Sequence, residues 1–295
     1  VIRRGYAFTL IELLATIAIV AIVAALVFPA MARARESAKQ AVCVSNFRQA
    51  AQASLLYHGD YDDRMAPASY APGSYASSRN DKTWVQLLLP YVRNFRVFFC
   101  PSDVSVRPKP EATFDQDLVP GDLMSQYYTA SQRTNLGYNY LYLAPIVEMR
   151  GSYFAVPRGG SEFESPGNTF LFMDSVWSRD ASGNPVGGGS WVVAPPCRFA
   201  QESGRVVDTF KAGTSADDGA SVVTFGRVPG WESAEELSPL RYGGAWPWHS
   251  GYLTVARLDM SVSPMRPERL EEGCEVLPEW RGTITDPQRY GWDTR

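Results

Sequence analysis

The side chains of this 295-residue chain with chemistry to offer are a lone glutamate in an apolar run, four isolated cysteines and two histidines. Glu12 is the one charged residue between positions 7 and 32. A carboxylate at the centre of a membrane helix costs about 2.5 to 3.5 kcal/mol on insertion scales. Glu12 sits near the edge of the run, where the cost is smaller, and it still calls for a cation. A free α-amine on Phe8, little more than one helical turn away, would supply one. The cysteines, Cys43, Cys100, Cys197 and Cys274, contain no C-x-x-C pair, so zinc-finger or thioredoxin-like spacing is absent. An even, scattered set suits an oxidising compartment, with two disulfides and three pairings left open. Asp60, Asp62 and Asp63 crowd together, but their spacing fits no calcium loop and reads as a solvated turn. Neither a metal nor a cofactor is expected.

Catalysis finds little material. A hydrolase needs a nucleophile beside a base, and His58 and His249 are the only histidines. No G-x-S-x-G elbow occurs. His249, Ser250 and Asp259 are suitable residue types, yet adjacent residues on a strand point to opposite faces, which works against a triad. Glu162, Glu164 and Asp174 are carboxylates that nothing in the sequence pairs. The glycines at 187, 188 and 189 lack the lysine and following helix of a phosphate loop and read as a flexible turn. No catalytic residue is therefore expected.

The elements that must carry these residues begin with the apolar run, long enough to span a hydrocarbon core of roughly 30 Å as a helix. Arg3 and Arg4 precede it, and Arg33, Arg35 and Lys39 follow it, so flanking charge leaves its orientation open. Ala15, Ala18, Ala21, Ala24 and Ala25 allow close approach of a neighbouring helix. Residues 30–57 keep helical spacing, with Val44, Phe47, Ala51 and Leu55 on one face and Arg33, Arg35, Glu36, Lys39 and Arg48 on the other. One long helix follows, apolar all round in its first half and amphipathic in its second. His58, Gly59 and Asp60 end it.

Beyond it, residues 60–81 read as irregular loop, 84–91 as a short helix stopped near Pro90, and 95–99 as an apolar strand. Further strands are expected at 138–143, 169–172, 192–193, 221–225 and 253–258, separated by glycine- and proline-rich turns. The length and 45% hydrophobic content support one sizeable core or two modest ones. A net charge of -3 speaks against nucleic acid as a primary partner, which would call for a clustered basic face.

The stretch from Phe8 through Thr9, Leu10, Ile11, Glu12 and Leu13 to Leu14 resembles the prepilin cleavage and methylation motif of type IV pilins and type II secretion pseudopilins. The resemblance implies a cut between Ala7 and Phe8, N-methylation of Phe8, and an assembly role for Glu12 with its neighbour Thr9. Ala7 stands where the family usually has glycine. Pro29, the twenty-second residue from Phe8, occupies the place of a helix-loosening proline in many pilins, and proline costs about 3 kcal/mol inside a soluble helix. The head is similar to a branch bearing a processing-associated H-x9-D-G motif. His249 and Asp259 match it, and Met260 replaces the glycine. Cys43 with Ser45-Asn46, Cys100-Pro101-Ser102, Gly137-Tyr138-Asn139 and Met173-Asp174-Ser175 are further similar fragments. A Cys43–Cys100 disulfide would fasten head to helix.

The resemblance implies an α+β, pilin-like fold, with a long N-terminal helix packed on an antiparallel β-sheet head with long loops. Residues 1–7 would be a leader, 8–58 the spine (about 8–32 membrane-spanning before assembly) and 59–295 an extracytoplasmic head. The expected product is a filament subunit. Its partners would be copies of itself or other pilins, the prepilin peptidase, an inner-membrane assembly platform and, before assembly, the membrane. The alternative is a secreted surface or carbohydrate-binding protein, with an ordinary signal peptide cut after Ala32 and Tyr242, Trp246, Trp248 and Tyr252 as an aromatic platform.

Overall fold

A computed structural model describes residues 9–70, 82–105, 130–149, 152–209, 221–223, 242–277 and 282–292. Its layout is α+β: a long N-terminal apolar helix followed by a mainly antiparallel β head. Helix α1 (Leu10–Asp60) runs unbroken through Pro29. The melted segment expected there is not seen in the single chain, because the helix continues on both sides of the missing hydrogen bond.

The two halves of α1 have different surroundings. Thirteen large apolar side chains from Leu10 to Met31 stand 46% to 76% exposed, with nothing of the described chain covering them. The second half buries Cys43, Phe47, Ala50, Ala51, Ala53, Ser54 and Tyr57 against the head. This stripe is rotated from the expected one: Phe47 and Ala51 belong to it, whereas Leu55 points outward and is 49% exposed. The inner face is mostly small residues, which let the helix lie close on the strands, with Phe47 and Tyr57 as its two large anchors.

The head is built in chain order from β1 (Ser69–Tyr70), β2 (Lys82–Thr83), α2 (Trp84–Val92), β3 (Leu136–Tyr138), β4 (Ile146–Met149), β5 (Ser152–Ala155), β6 (Phe170–Asp174), β7 (Ser178–Arg179), β8 (Pro185–Val186), β9 (Cys197–Glu202), β10 (Arg205–Asp208), β11 (Ser221–Val223), β12 (Leu253–Arg257), β13 (Val262–Met265), β14 (Cys274–Glu275) and β15 (Gly282–Ile284). The sheet under α1 has the order β13-β12-β6-β3 and is antiparallel throughout. Its strand β6 is buried at every position, as the run Phe-Leu-Phe-Met-Asp demands. A second sheet, β10-β9-β15-β14, contains one parallel pair, β15 with β9. The disulfide Cys197–Cys274 ties its β9 to its β14.

Between α1, α2 and the first sheet lies the aromatic centre of the core. Trp84 is fully buried, stacks on Phe172 with ring centroids 4.6 Å apart, and meets Phe98 edge-on at 5.6 Å. Its indole N–H donates to the Trp191 carbonyl, so the one polar atom of this large side chain is satisfied.

Some sequence expectations shift. Residues 95–98 form a 3-10 turn rather than a strand, started by Asn94, whose side chain accepts from the Arg96 amide. The expected strand over 138–143 splits, because β3 ends at Tyr138 and one helical turn follows over Tyr140–Leu143. Helix α2 passes through Pro90 to Val92 and ends on Arg93 in a left-handed conformation. Residues 192–193 contribute one isolated bridge, Tyr138 to Val192, instead of a strand. Strands β6 and β12 fall where aromatic and β-branched content placed them.

Candidate functional site

Two places gather the residues with chemistry. The first is the start of α1. Thr9 caps the helix: its hydroxyl accepts from the Glu12 amide at 3.3 Å, and the Glu12 carboxylate accepts from the Thr9 amide at 2.9 Å and from its hydroxyl at 2.8 Å. This reciprocal pair satisfies amide donors that a helix start leaves orphaned. The capping role of Glu12 went unread in the sequence, although Thr-x-x-Glu is its signature. The expected cut between Ala7 and Phe8 lies outside the described residues.

The second place is interior, where α1 meets the sheet. Cys43, Cys100, Asp174 and His249 are all buried, and their ligand-type atoms all lie within 4.8 Å of one another. Each comes from a different element. Cys43 sits on the inner stripe of α1, and Glu36, two helical turns earlier, shares its face. Asp174 ends β6. Cys100 follows the 3-10 turn, its amide donating to Asn135 Oδ1 while Asn46 of α1 donates to the neighbouring Phe99 carbonyl. His249 opens a two-residue hairpin closed by mutual backbone hydrogen bonds with Tyr252. Ser250 and Gly251 both have positive φ there, the twist that suits a tight hairpin.

The contacts are specific. The Cys43 thiol lies 3.5 Å from Asp174 Oδ1, and Cys100 Sγ lies 3.4 Å from His249 Nε2. His249 Nε2 is 3.8 Å from Asp174 Oδ2, which also accepts the Thr254 amide at 2.6 Å. On the other side of the ring, His249 Nδ1 is 3.1 Å from Glu36 Oε1 and 3.3 Å from Ser102 Oγ, and the Ser102 hydroxyl donates to Glu36. Glu36, expected on the solvated side of the helix, is turned inward by these two partners.

The electrostatics are unusual for a core. Burial drives the Asp174 carboxyl well above its ordinary range. Hydrogen bonding to Cys100, together with burial, does the same for the Cys43 thiol. The hydrogen bond from Cys43 outweighs burial at Cys100 and, with that to His249, draws it down to about 6. Burial opposes charge on His249, yet the Cys100 hydrogen bond and the Asp174 charge carry it up to about 9. Thiol, imidazole and carboxylate together are also the groups of a cysteine hydrolase. Here Cys100, Asp174 and His249 are at most 4% exposed, so a carbonyl substrate has no approach to the sulfur. Two thiols, an imidazole and a carboxylate converging in a dry interior are equally a donor set for a transition-metal ion.

The structure places the remaining expected residues apart. Asp259 stands ten residues beyond His249 at the β12–β13 turn, where its carboxylate accepts the Ser261 amide, so the His249, Ser250 and Asp259 set does not converge. The paired disulfide is Cys197–Cys274, while Cys43 and Cys100 carry free thiols. The expected Cys43–Cys100 bond is thus replaced by proximity within a shared cluster. Of the aromatic platform, Trp248 is buried and donates to the Ser175 carbonyl, Trp246 packs edge-on against it, and Tyr252 stays partly open.

The family model of the prokaryotic N-terminal methylation motif matches residues 2–28. Together with the long apolar helix that it overlaps, this motif makes the N-terminal region type IV pilin-like, fits an inner-membrane precursor and implies processing by a prepilin peptidase. The motif suggests a structural protein. No curated protein and no solved structure matches the chain.

Proposed function

We propose that this chain, a substrate of the prepilin-processing route, is a structural subunit of an extracytoplasmic type IV pilus-like or type II secretion filament. It polymerises through the first half of α1 once residues 1–7 are removed. The observation that carries the reading is the methylation motif over residues 2–28, which runs into a bare apolar helix. At about 1.5 kcal/mol or more for each fully buried aliphatic side chain, thirteen such groups represent on the order of 20 kcal/mol that water does not satisfy. Lipid covers them before assembly, and copies of the same helix cover them afterwards. In this reading the alanine-rich face permits close packing, Glu12 meets a Phe8 amine, and the inner-membrane platform extracts the helix. Pro29 weakens α1 as it leaves the bilayer. The head, residues 59–295, faces the periplasm or the cell surface.

The N-terminus of the mature protein tests this. Methylated Phe8 is the expected result from mass spectrometry of the membrane or filament fraction. A soluble product beginning at Arg33 would mean an ordinary signal peptide and a secreted binding protein instead.

A further inference from the structure

We propose that Cys43, Cys100, Asp174 and His249 form a closed, four-coordinate Zn2+ site that clamps the spine helix to the head. The site lies within one chain and stands whether or not the protein polymerises.

Donor spacing supports it. Tetrahedral zinc, with Zn–S of about 2.3 Å and Zn–N or Zn–O of about 2.0 to 2.1 Å, requires sulfur-to-nitrogen and sulfur-to-oxygen edges of roughly 3.5 Å. The Cys100–His249 edge is 3.4 Å, and Cys43 Sγ lies 3.5 Å from Asp174 Oδ1 and 4.0 Å from Oδ2. His249 Nε2 lies 3.8 Å from Asp174 Oδ2, about half an ångström beyond the nitrogen-to-oxygen edge of the same geometry, so the Asp174 carboxylate closes in slightly when the ion binds.

The surrounding groups support it independently. His249 turns Nε2 inward to Cys100 and Asp174 and leaves Nδ1 on the Glu36 carboxylate. That is the carboxylate–histidine–metal arrangement, in which the outer carboxylate selects the tautomer and aims the ring. The Thr254 amide holds Asp174 Oδ2 in the same way. Asp174 is fully buried beside two thiols, where a carboxylate is costly unless it is protonated or paired, and a divalent ion would pair it. A divalent ion bound by two thiolates, a carboxylate and a neutral imidazole reduces three negative charges to one, with the displaced protons released to solvent.

The ligand types select the metal class. Thiolate and imidazole are poor ligands for Mg2+ or Ca2+ and good ones for Zn2+. Four protein donors leave no open position, which marks a structural rather than a catalytic centre. The four ligands come from α1, the loop after the 3-10 turn, the end of β6 and the hairpin before β12. Binding therefore joins parts of the chain separated by up to 206 positions, from Cys43 to His249. A Cys43–Cys100 disulfide would use two of these groups and leave Asp174 and His249 without the shared partner they face.

The test uses the full-length chain extracted from membranes in detergent without chelator. Elemental mass spectrometry is expected to find one zinc per polypeptide, and Co2+ exchange to give thiolate-to-metal charge-transfer absorption with intense visible bands. Cys43→Ser and His249→Ala are each expected to lower zinc content more than tenfold. Glu36→Gln touches no metal and leaves the head folded. It is expected to weaken zinc affinity about 10- to 100-fold, a readout that does not depend on the ligand variants folding. Three results would overturn the site: wild-type protein with a folded head that holds no stoichiometric zinc after exposure to Zn2+, zinc content unchanged in both ligand variants, or a native Cys43–Cys100 disulfide.

Discussion

His249 Nδ1 lies 3.1 Å from Glu36 Oε1, joining the head to the spine helix across 213 residues of chain. The contact sits at the edge of the buried cluster, with Ser102 bonded to both partners. Hydrogen bonds to charged groups contribute about 1.5 to 3 kcal/mol. Glu36→Ala is expected to lower the thermal stability of the detergent-solubilised chain by that order. Ser102→Ala, which leaves the direct contact in place, is expected to cost less. Equal, negligible effects in a melting series would show that the contact does not hold the helix to the head.

Glu12 has two separable roles. Its carboxylate closes the capping box with Thr9, and in the proposed filament it also supplies charge. Glu12→Gln keeps the acceptor that a capping box needs and removes the charge. Glu12→Val removes both. Both variants are expected to insert into the membrane, and both to abolish filaments. Filaments from Glu12→Gln at normal yield, counted by electron microscopy, would assign Glu12 to capping alone.

Met260 holds a left-handed conformation, φ 67, at the β12–β13 turn, the position where the similar motif carries glycine. A non-glycine residue pays roughly 1 to 2 kcal/mol there. Met260→Gly is expected to stabilise the head by about 1 kcal/mol in denaturant titration, and Met260→Val to destabilise it. A neutral Met260→Gly would mean that the partly exposed methionine gains as much from packing as the turn loses.

The Cys197–Cys274 bond closes a loop between residues 77 positions apart. Loop-closure entropy of that size gives about 2 to 5 kcal/mol. Cys274→Ser is expected to lower stability within this range, and non-reducing peptide mapping is expected to recover the Cys197–Cys274 pair. Recovery of Cys197 with any other cysteine would contradict the β9–β14 arrangement.

What the sequence alone determined is local. The apolar run, Glu12, Thr9 and the continuous helix to position 58 are legible because helical periodicity and membrane partition act on neighbouring residues. Strands β6 and β12 are legible for the same reason, through the aromatic run of the one and the β-branched residues of the other. Turn chemistry was partly legible: Asn94 starts its 3-10 turn as a cap should, yet the apolar letters of 95–98 disguised it as a strand. The face of α1 that packs inward, the inward turn of Glu36 and the choice of Cys197–Cys274 over Cys43–Cys100 were decided by tertiary structure. So was the meeting of Cys43, Cys100, Asp174 and His249. These four donors have no short spacing to read, since they are brought together only when α1 settles on the sheet and closes distances that the chain itself leaves open.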